Sequence, residues 1–185
     1  MRPYRILLGG IAALVVFGTA ARADIAVRFT EAAPKDRFVV TNGTGCHIAA
    51  GSIIIDLGPA PAGLLFDTDP TGPGENVAQP LELARAENAT ATFAAVPDGA
   101  TTAEIRLRDF LPGGEIEVTV DVDDSDRSGP RGVQMIDGSE MAGARVTFAS
   151  GSDTPGADGT AAGVQRAATF DRTGEARIAL TACLQ

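Results

Sequence analysis

The run Gly113-Gly114-Glu115-Ile116-Glu117-Val118-Thr119-Val120-Asp121-Val122-Asp123-Asp124-Ser125-Asp126-Arg127-Ser128-Gly129-Pro130 settles what kind of chain this is. Its first half alternates strictly, with Ile116, Val118, Val120 and Val122 on one side and Glu115, Glu117, Thr119, Asp121 and Asp123 on the other. A side-chain period of two is a strand with one buried and one wet face. Its second half is an acidic turn closed by Ser128-Gly129-Pro130, where Gly allows backbone angles that other residues resist. The chain here makes a core strand and gathers carboxylates at its tip.

Working outward, the same grammar repeats. Ile25 to Phe29 and Arg37 to Asn42 alternate, the second ending in the turn pair Asn42-Gly43. Cys46 to Ala50 and Ser52 to Leu57 read as strands, and the apolar run Ile53-Ile54-Ile55 predicts one buried on both faces. Gly63 to Asp67 is a further strand, Glu82 to Glu87 resembles a single helical turn, and Thr90 to Val96 and Ala103 to Leu111 flank the hairpin signal Asp98-Gly99. Val133 to Ile136 and Met141 to Phe148 read as a hairpin around Asp137-Gly138, with two short strands after it. Short strands spaced by Gly- and Pro-rich turns predict an all-β fold, a single Ig-like β-sandwich.

Arg2 and Arg5, the apolar run from Ile6 to Gly18 and the small residues Ala21-Arg22-Ala23 predict a signal peptide over residues 1–23, cut before Asp24. The apolar run is shorter than the roughly 20 residues a membrane span needs. The domain expected to remain is 24–185, exported to the periplasm or the medium with no transmembrane segment. Removing Arg2, Arg5 and Arg22 from the 15 basic residues leaves 12 against 24 acidic ones, a formal charge of −12. Such a surface repels nucleic acid and anionic lipid and favours cations or basic surfaces. A membrane β-barrel needs aromatic girdles; the chain has no Trp, and its single Tyr (Tyr4) falls within the leader. Two cysteines in an oxidising compartment, Cys46 and Cys183, predict one disulfide. The long loop it closes is worth about 5 kcal/mol on the chain-entropy account.

Two segments echo each other: Asp67-Thr68-Asp69-Pro70-Thr71-Gly72-Pro73 and Asp124-Ser125-Asp126-Arg127-Ser128-Gly129-Pro130 both read D-x-D-x-[ST]-G-P. Oxygen side chains at positions one, three and five with Gly at six form the first half of a calcium loop, and Ca²⁺ takes six to eight oxygens. Position twelve, normally a bidentate Glu, is Ala78 in one and Met135 in the other, so neither is an EF-hand. The candidate ligands are Asp67, Asp69, Thr71 and Glu75 for the first loop, and Asp123, Asp124, Asp126, Ser128 and Glu140 for the second. Two solvated acidic turns, built from residues that turns favour, are the alternative. The lone His47 lacks a positioned Ser and acid, no G-x-S-x-G is present, and one His with two distant Cys does not suit zinc. Asn42-Gly43-Thr44 and Asn88-Ala89-Thr90 are glycosylation sequons.

Glu31-Ala32-Ala33-Pro34-Lys35-Asp36-Arg37-Phe38, Ile55-Asp56-Leu57 with Gly63-Leu64-Leu65-Phe66-Asp67-Thr68, Val118 to Asp124, and Gly138-Ser139-Glu140-Met141-Ala142-Gly143-Ala144 together resemble small exported bacterial proteins called aggregation factor core proteins, after sponge adhesion factors. The resemblance implies calcium-dependent adhesion and carries no catalytic residues. The reading is thus a non-catalytic, calcium-stabilised binding or adhesion module, acting by self-association or on cell-surface and matrix components. Its rivals are a periplasmic hydrolase using Asp121, Asp123 and Asp124, and a purely structural matrix protein.

Overall fold

A computed structural model describes residues 24–71, 78–124, 136–151 and 164–180. The expected leader, Glu75, Asp126, Ser128 and Cys183 lie outside the described residues. All described regular structure is β: β1 (Asp24–Thr30), β2 (Asp36–Asn42), β3 (Gly51–Asp56), β4 (Leu64–Asp67), β5 (Glu82–Phe93), β6 (Thr102–Asp124), β7 (Arg145–Ser150), β8 (Gln165–Thr169) and β9 (Glu175–Ala179).

The organising element is β6. The runs Ala103–Leu111 and Gly113–Val122, read separately above, are one strand of 23 residues continuing through Pro112-Gly113-Gly114. Gly113 takes φ +71°, and a Cβ on Gly114 would sit 2.7 Å from the Asn88 carbonyl oxygen. β5 is irregular at the same level, where Asn88 has φ 50° and pairing skips from Glu87 to Ala89. Along one edge of β6, β3 pairs with its first half and β2 with its second, while β5 follows the other edge. The order β8-β7-β3-β6-β2-β1-β9 wraps so that β8 and β9 come into contact, giving a nearly closed, barrel-like sheet.

The wrapping encloses one core. Ile53, Ile55, Ile105, Leu107, Val146 and Phe148 enter from one arm, and Ile25, Val27, Phe38, Val40, Ile116, Val118, Val120 and Ile178 from the other. Phe38 joins them, its ring 5.1 Å from Phe29, 6.4 Å from Phe66 and 6.3 Å from Phe170. Burying a side chain of this kind contributes about 2–3 kcal/mol.

Several expectations are corrected. Glu82 to Glu87 is not a helical turn but the start of β5, because pairing with Glu115 to Thr119 outweighs the helix propensity of Glu, Leu, Ala and Arg. Cys46 to Ala50 forms no strand; only Ile48 bridges to Phe110. Ile54 is half-buried between buried Ile53 and Ile55, so β3 has one core face rather than two. After Ile136 the chain makes turns over 137–143 and re-enters the sheet at Arg145, later than the predicted Met141.

Candidate carboxylate site

β4 pairs antiparallel with the end of β6, Leu65 opposite Asp123 and Asp67 opposite Asp121. Directly opposed residues share a face, and so do residues two apart. Asp67, Asp121 and Asp123 therefore lie together on the side of this ladder away from Phe66 and Val122, with Leu65 among them. Asp67 and Asp123 are buried. The turn after β5 brings Asp98 to the same place: its Oδ1 accepts the Thr68 N–H at 2.7 Å and the Asp69 N–H at 3.0 Å. Asp36, on the neighbouring strand, accepts from Val122 N–H at 3.1 Å and Ala32 N–H at 3.3 Å.

Crowding like charges in a dehydrated place raises carboxyl pKa values. Burial, then the charges of Asp123, Asp36 and Asp67, lift Asp121 to about 7. Burial, then Asp123 and Asp98, lift Asp67 to about 7. Burial lifts Asp36 to about 6 against the pull of its two N–H donors. Asp67 stands apart: it is fully buried, no N–H or O–H group donates to its carboxylate, and the groups within hydrogen-bonding reach are the acids Asp123 and Asp98, to which a protonated Asp67 can donate.

The remaining sequence candidates are placed differently. Asp69 is exposed and accepts from Thr71 N–H at 2.9 Å and Thr71 O–H at 2.8 Å, a self-contained turn that lowers its pKa. Asp137 with Ser139 and Asp171 with Thr173 repeat that geometry. Glu140 accepts the Asp137 N–H at 2.9 Å, closing its own turn. Asp124 ends β6 opposite Leu64. The structure brings Asp67 and Asp123 together, and with them Asp98, Asp121 and Asp36, which the D-x-D echo does not include. Among the described residues no three His, Cys, Asp or Glu side chains are grouped so that they could hold a metal ion.

Elsewhere, His47 is half-exposed and paired with Asp109. Asn42 is fully buried, its amide donating to the carbonyls of Cys46 (2.9 Å), Phe110 (3.0 Å) and Leu111 (3.1 Å). This side chain is not available for glycosylation, so the first sequon is a structural clamp. Cys46 is not a free thiol. No described helix is long and apolar enough to cross a membrane.

The wet face of β9-β1-β2-β6-β5 carries cross-strand rows. One runs Glu175, Arg28, Val39, Glu117, Arg85, and the next Arg177, Ala26, Thr41, Glu115, Glu87. Arg28 lies 3.7 Å from Glu175, Arg177 3.1 Å from Asp24, Arg37 3.6 Å from Glu117, and Arg85 contacts Glu87, Glu115 and Glu117. A cleft of about 520 Å³ opens there among Asp24, Arg28, Thr41, Glu115, Glu175 and Arg177. Compared with known proteins, this chain finds no counterpart: no family model, no curated protein and no solved structure matches it.

Proposed function

We propose that the chain is an exported, non-catalytic binding module that works by adhesion, with Ca²⁺ as its stabilising ion and a Cys46–Cys183 bridge tying the chain end to the fold. The observation that carries this reading is the exposed face of β9-β1-β2-β6-β5. It sets Asp24, Glu82, Glu87, Glu115, Glu117 and Glu175 against Arg28, Lys35, Arg37, Arg85 and Arg177, nearly neutral on a chain of formal charge −9. Exposed ion pairs contribute only about 0–1 kcal/mol each, so such rows are a poor investment for stability alone. Alternating acid and base rows are self-complementary: a second copy turned end for end sets bases against acids, which gives register and specificity. The chain as a whole carries an acidic surplus, and a divalent cation lowers the repulsion that this sets up between copies.

Beads coated with the mature chain test the adhesive part. They should clump in calcium and disperse in EDTA, at high salt, or when Arg28→Glu and Arg85→Glu are combined. Beads that stay dispersed in calcium would remove the self-adhesive reading. Melting in reductant, with an expected loss of several degrees, tests the bridge. The hydrolase reading gains from the raised pKa of Asp121, which suits a general acid. It gains nothing from the described clefts around Arg28 and Ala94, whose walls do not include Asp121, Asp123 or Asp124.

A further inference from the structure

Asp67 is fully buried, and no N–H or O–H group donates to its carboxylate. What lies within hydrogen-bonding reach is acid, Asp123 first and then Asp98. Two carboxylates cannot bond each other, because both only accept; a carboxylic acid and a carboxylate can, through one short O–H···O bond. Strand register makes the pair. Leu65 stands opposite Asp123 and Asp67 opposite Asp121, so Asp67 and Asp123 are diagonal neighbours on one face of the β4–β6 ladder, and Asp123 is buried too. Asp98 is the poorer acceptor, since its Oδ1 already takes the Thr68 and Asp69 N–H groups. Among the described residues these acids are not grouped so that they could hold a metal ion.

We propose that Asp67 and Asp123 share one proton across the β4–β6 ladder, and that this bond is a latch closing β4 and the 97–100 turn onto the end of β6. When the proton leaves to solvent, two negative charges remain side by side in a dehydrated place, and Asp98 and Asp121 add to the repulsion. Asp36, from β2, acts on Asp121, and Glu31 acts on Asp36 in the same sense. Burial and the neighbouring acids lift Asp67 to about 7, so the latch is closed in mild acid and released just above neutrality.

The element that yields is β4. It has four residues and pairs with the last four of β6. Its ties to the turn are the Phe66 N–H on the Ala100 carbonyl at 2.8 Å and the Gly99 N–H on the Phe66 carbonyl at 2.9 Å. A unit held by so few bonds opens locally at less cost than the whole sheet. Opening bares Phe66, whose ring lies 6.4 Å from that of Phe38. The latch goes beyond the adhesive reading and does not depend on it, because it uses none of the ion-paired side chains of the β9-β1-β2-β6-β5 face.

The test is NMR on the mature chain in EDTA, titrated from about pH 4 to about pH 8. The Asp67 carboxyl carbon should titrate with a midpoint near 7. Asp123→Asn, whose amide can donate to Asp67, should bring that midpoint down to about 5–6. Asp69→Asn should leave it in place, since Asp69 and Thr71 form their own exposed turn. With intrinsic exchange rates divided out, the Phe66 and Gly99 amides should lose about tenfold more protection over this range than those of Phe29 and Phe170, which bond the Gly174 and Ala144 carbonyls. In Asp67→Asn that excess should vanish. An Asp67 midpoint near the ordinary value of about 4 in the folded parent, or one that Asp123→Asn leaves unmoved, would overturn the shared proton. Equal losses at all four amides of the parent, or the same excess in Asp67→Asn, would overturn the latch. The parent's titration and exchange decide the matter even if a variant does not fold, and bead clumping has no part in either readout.

Discussion

Asn42 shows how one side chain can hold a bend. It ends β2, and its amide supplies the donors for three carbonyls, those of Phe110, Leu111 and Cys46, while its Oδ1 accepts the Thr44 N–H at 3.0 Å. Asn42→Ala takes the partner from the Leu111 carbonyl and the buried Thr44 N–H, while the Phe110 carbonyl keeps the Ile48 N–H and the Cys46 carbonyl keeps the Thr44 O–H, and chemical denaturation should show a loss of about 1–3 kcal/mol. Asn42→Asp should fare no better, because a carboxylate would face the same carbonyl oxygens. The sequence announced a turn at Asn42-Gly43 but not the clamp, whose partners lie 68 and 69 residues away. The D-x-D echo was legible in the same partial way. Asp69 and Thr71 are the turn that local chemistry dictates, whereas the role of Asp67 depends on a strand partner more than fifty residues later. Asp98 read as a hairpin residue, and nothing local links it to Asp67.

At the level of elements, period-two alternation located β1, β2 and both halves of β6 nearly to the residue; a continuous apolar run located β3 but with two core faces instead of one, and β7 was read four residues early, from Met141. Alternation reports burial on one face, which is why it worked there. It found only the end of β5, read as Thr90 to Val96, and missed its exposed start, where Glu, Leu, Ala and Arg carry no burial signal. It also failed at Leu111-Pro112-Gly113-Gly114, since Pro and paired Gly normally end a strand. Here they let β6 bend while β5 bends beside it at Asn88. Gly114→Ala tests that bend. The added Cβ would meet the carbonyl oxygens of Asn88 at 2.7 Å and Leu111 at 2.9 Å, both backbone atoms that cannot swing away. A loss of about 2 kcal/mol is expected, with faster amide exchange concentrated in β5 and the middle of β6. Gly113→Asn, which tolerates a positive φ, should cost much less.

For the whole molecule, the all-β class was readable from turns and alternation, but the way the strands join was not, because pairing between distant strands leaves no local trace. The charge excess was readable too, though not where it collects. Its collection point sets the pH response. Asp67 and Asp121 have folded pKa values of about 7 and Asp36 about 6, all above the ordinary 3.8. Without metal, the folded state therefore keeps protons that the unfolded chain releases, so stability falls as pH rises from about 4 to about 7 and stays reduced above that. Asp98, Asp121 and Asp123 adjoin Asp67 with the same sign, and Asp36 acts on Asp121. The most direct measurement is the melting temperature of metal-free parent and Asp67→Asn at neutral pH and again near pH 5. The parent should melt lower than the variant at neutral pH, by about 3–6 °C, and the gap should close in acid. A parent that melts higher than Asp67→Asn at neutral pH without metal, with no gain on acidification, would contradict the claim that Asp67 is a buried acid whose ionisation beside Asp123 and Asp98 costs the fold stability.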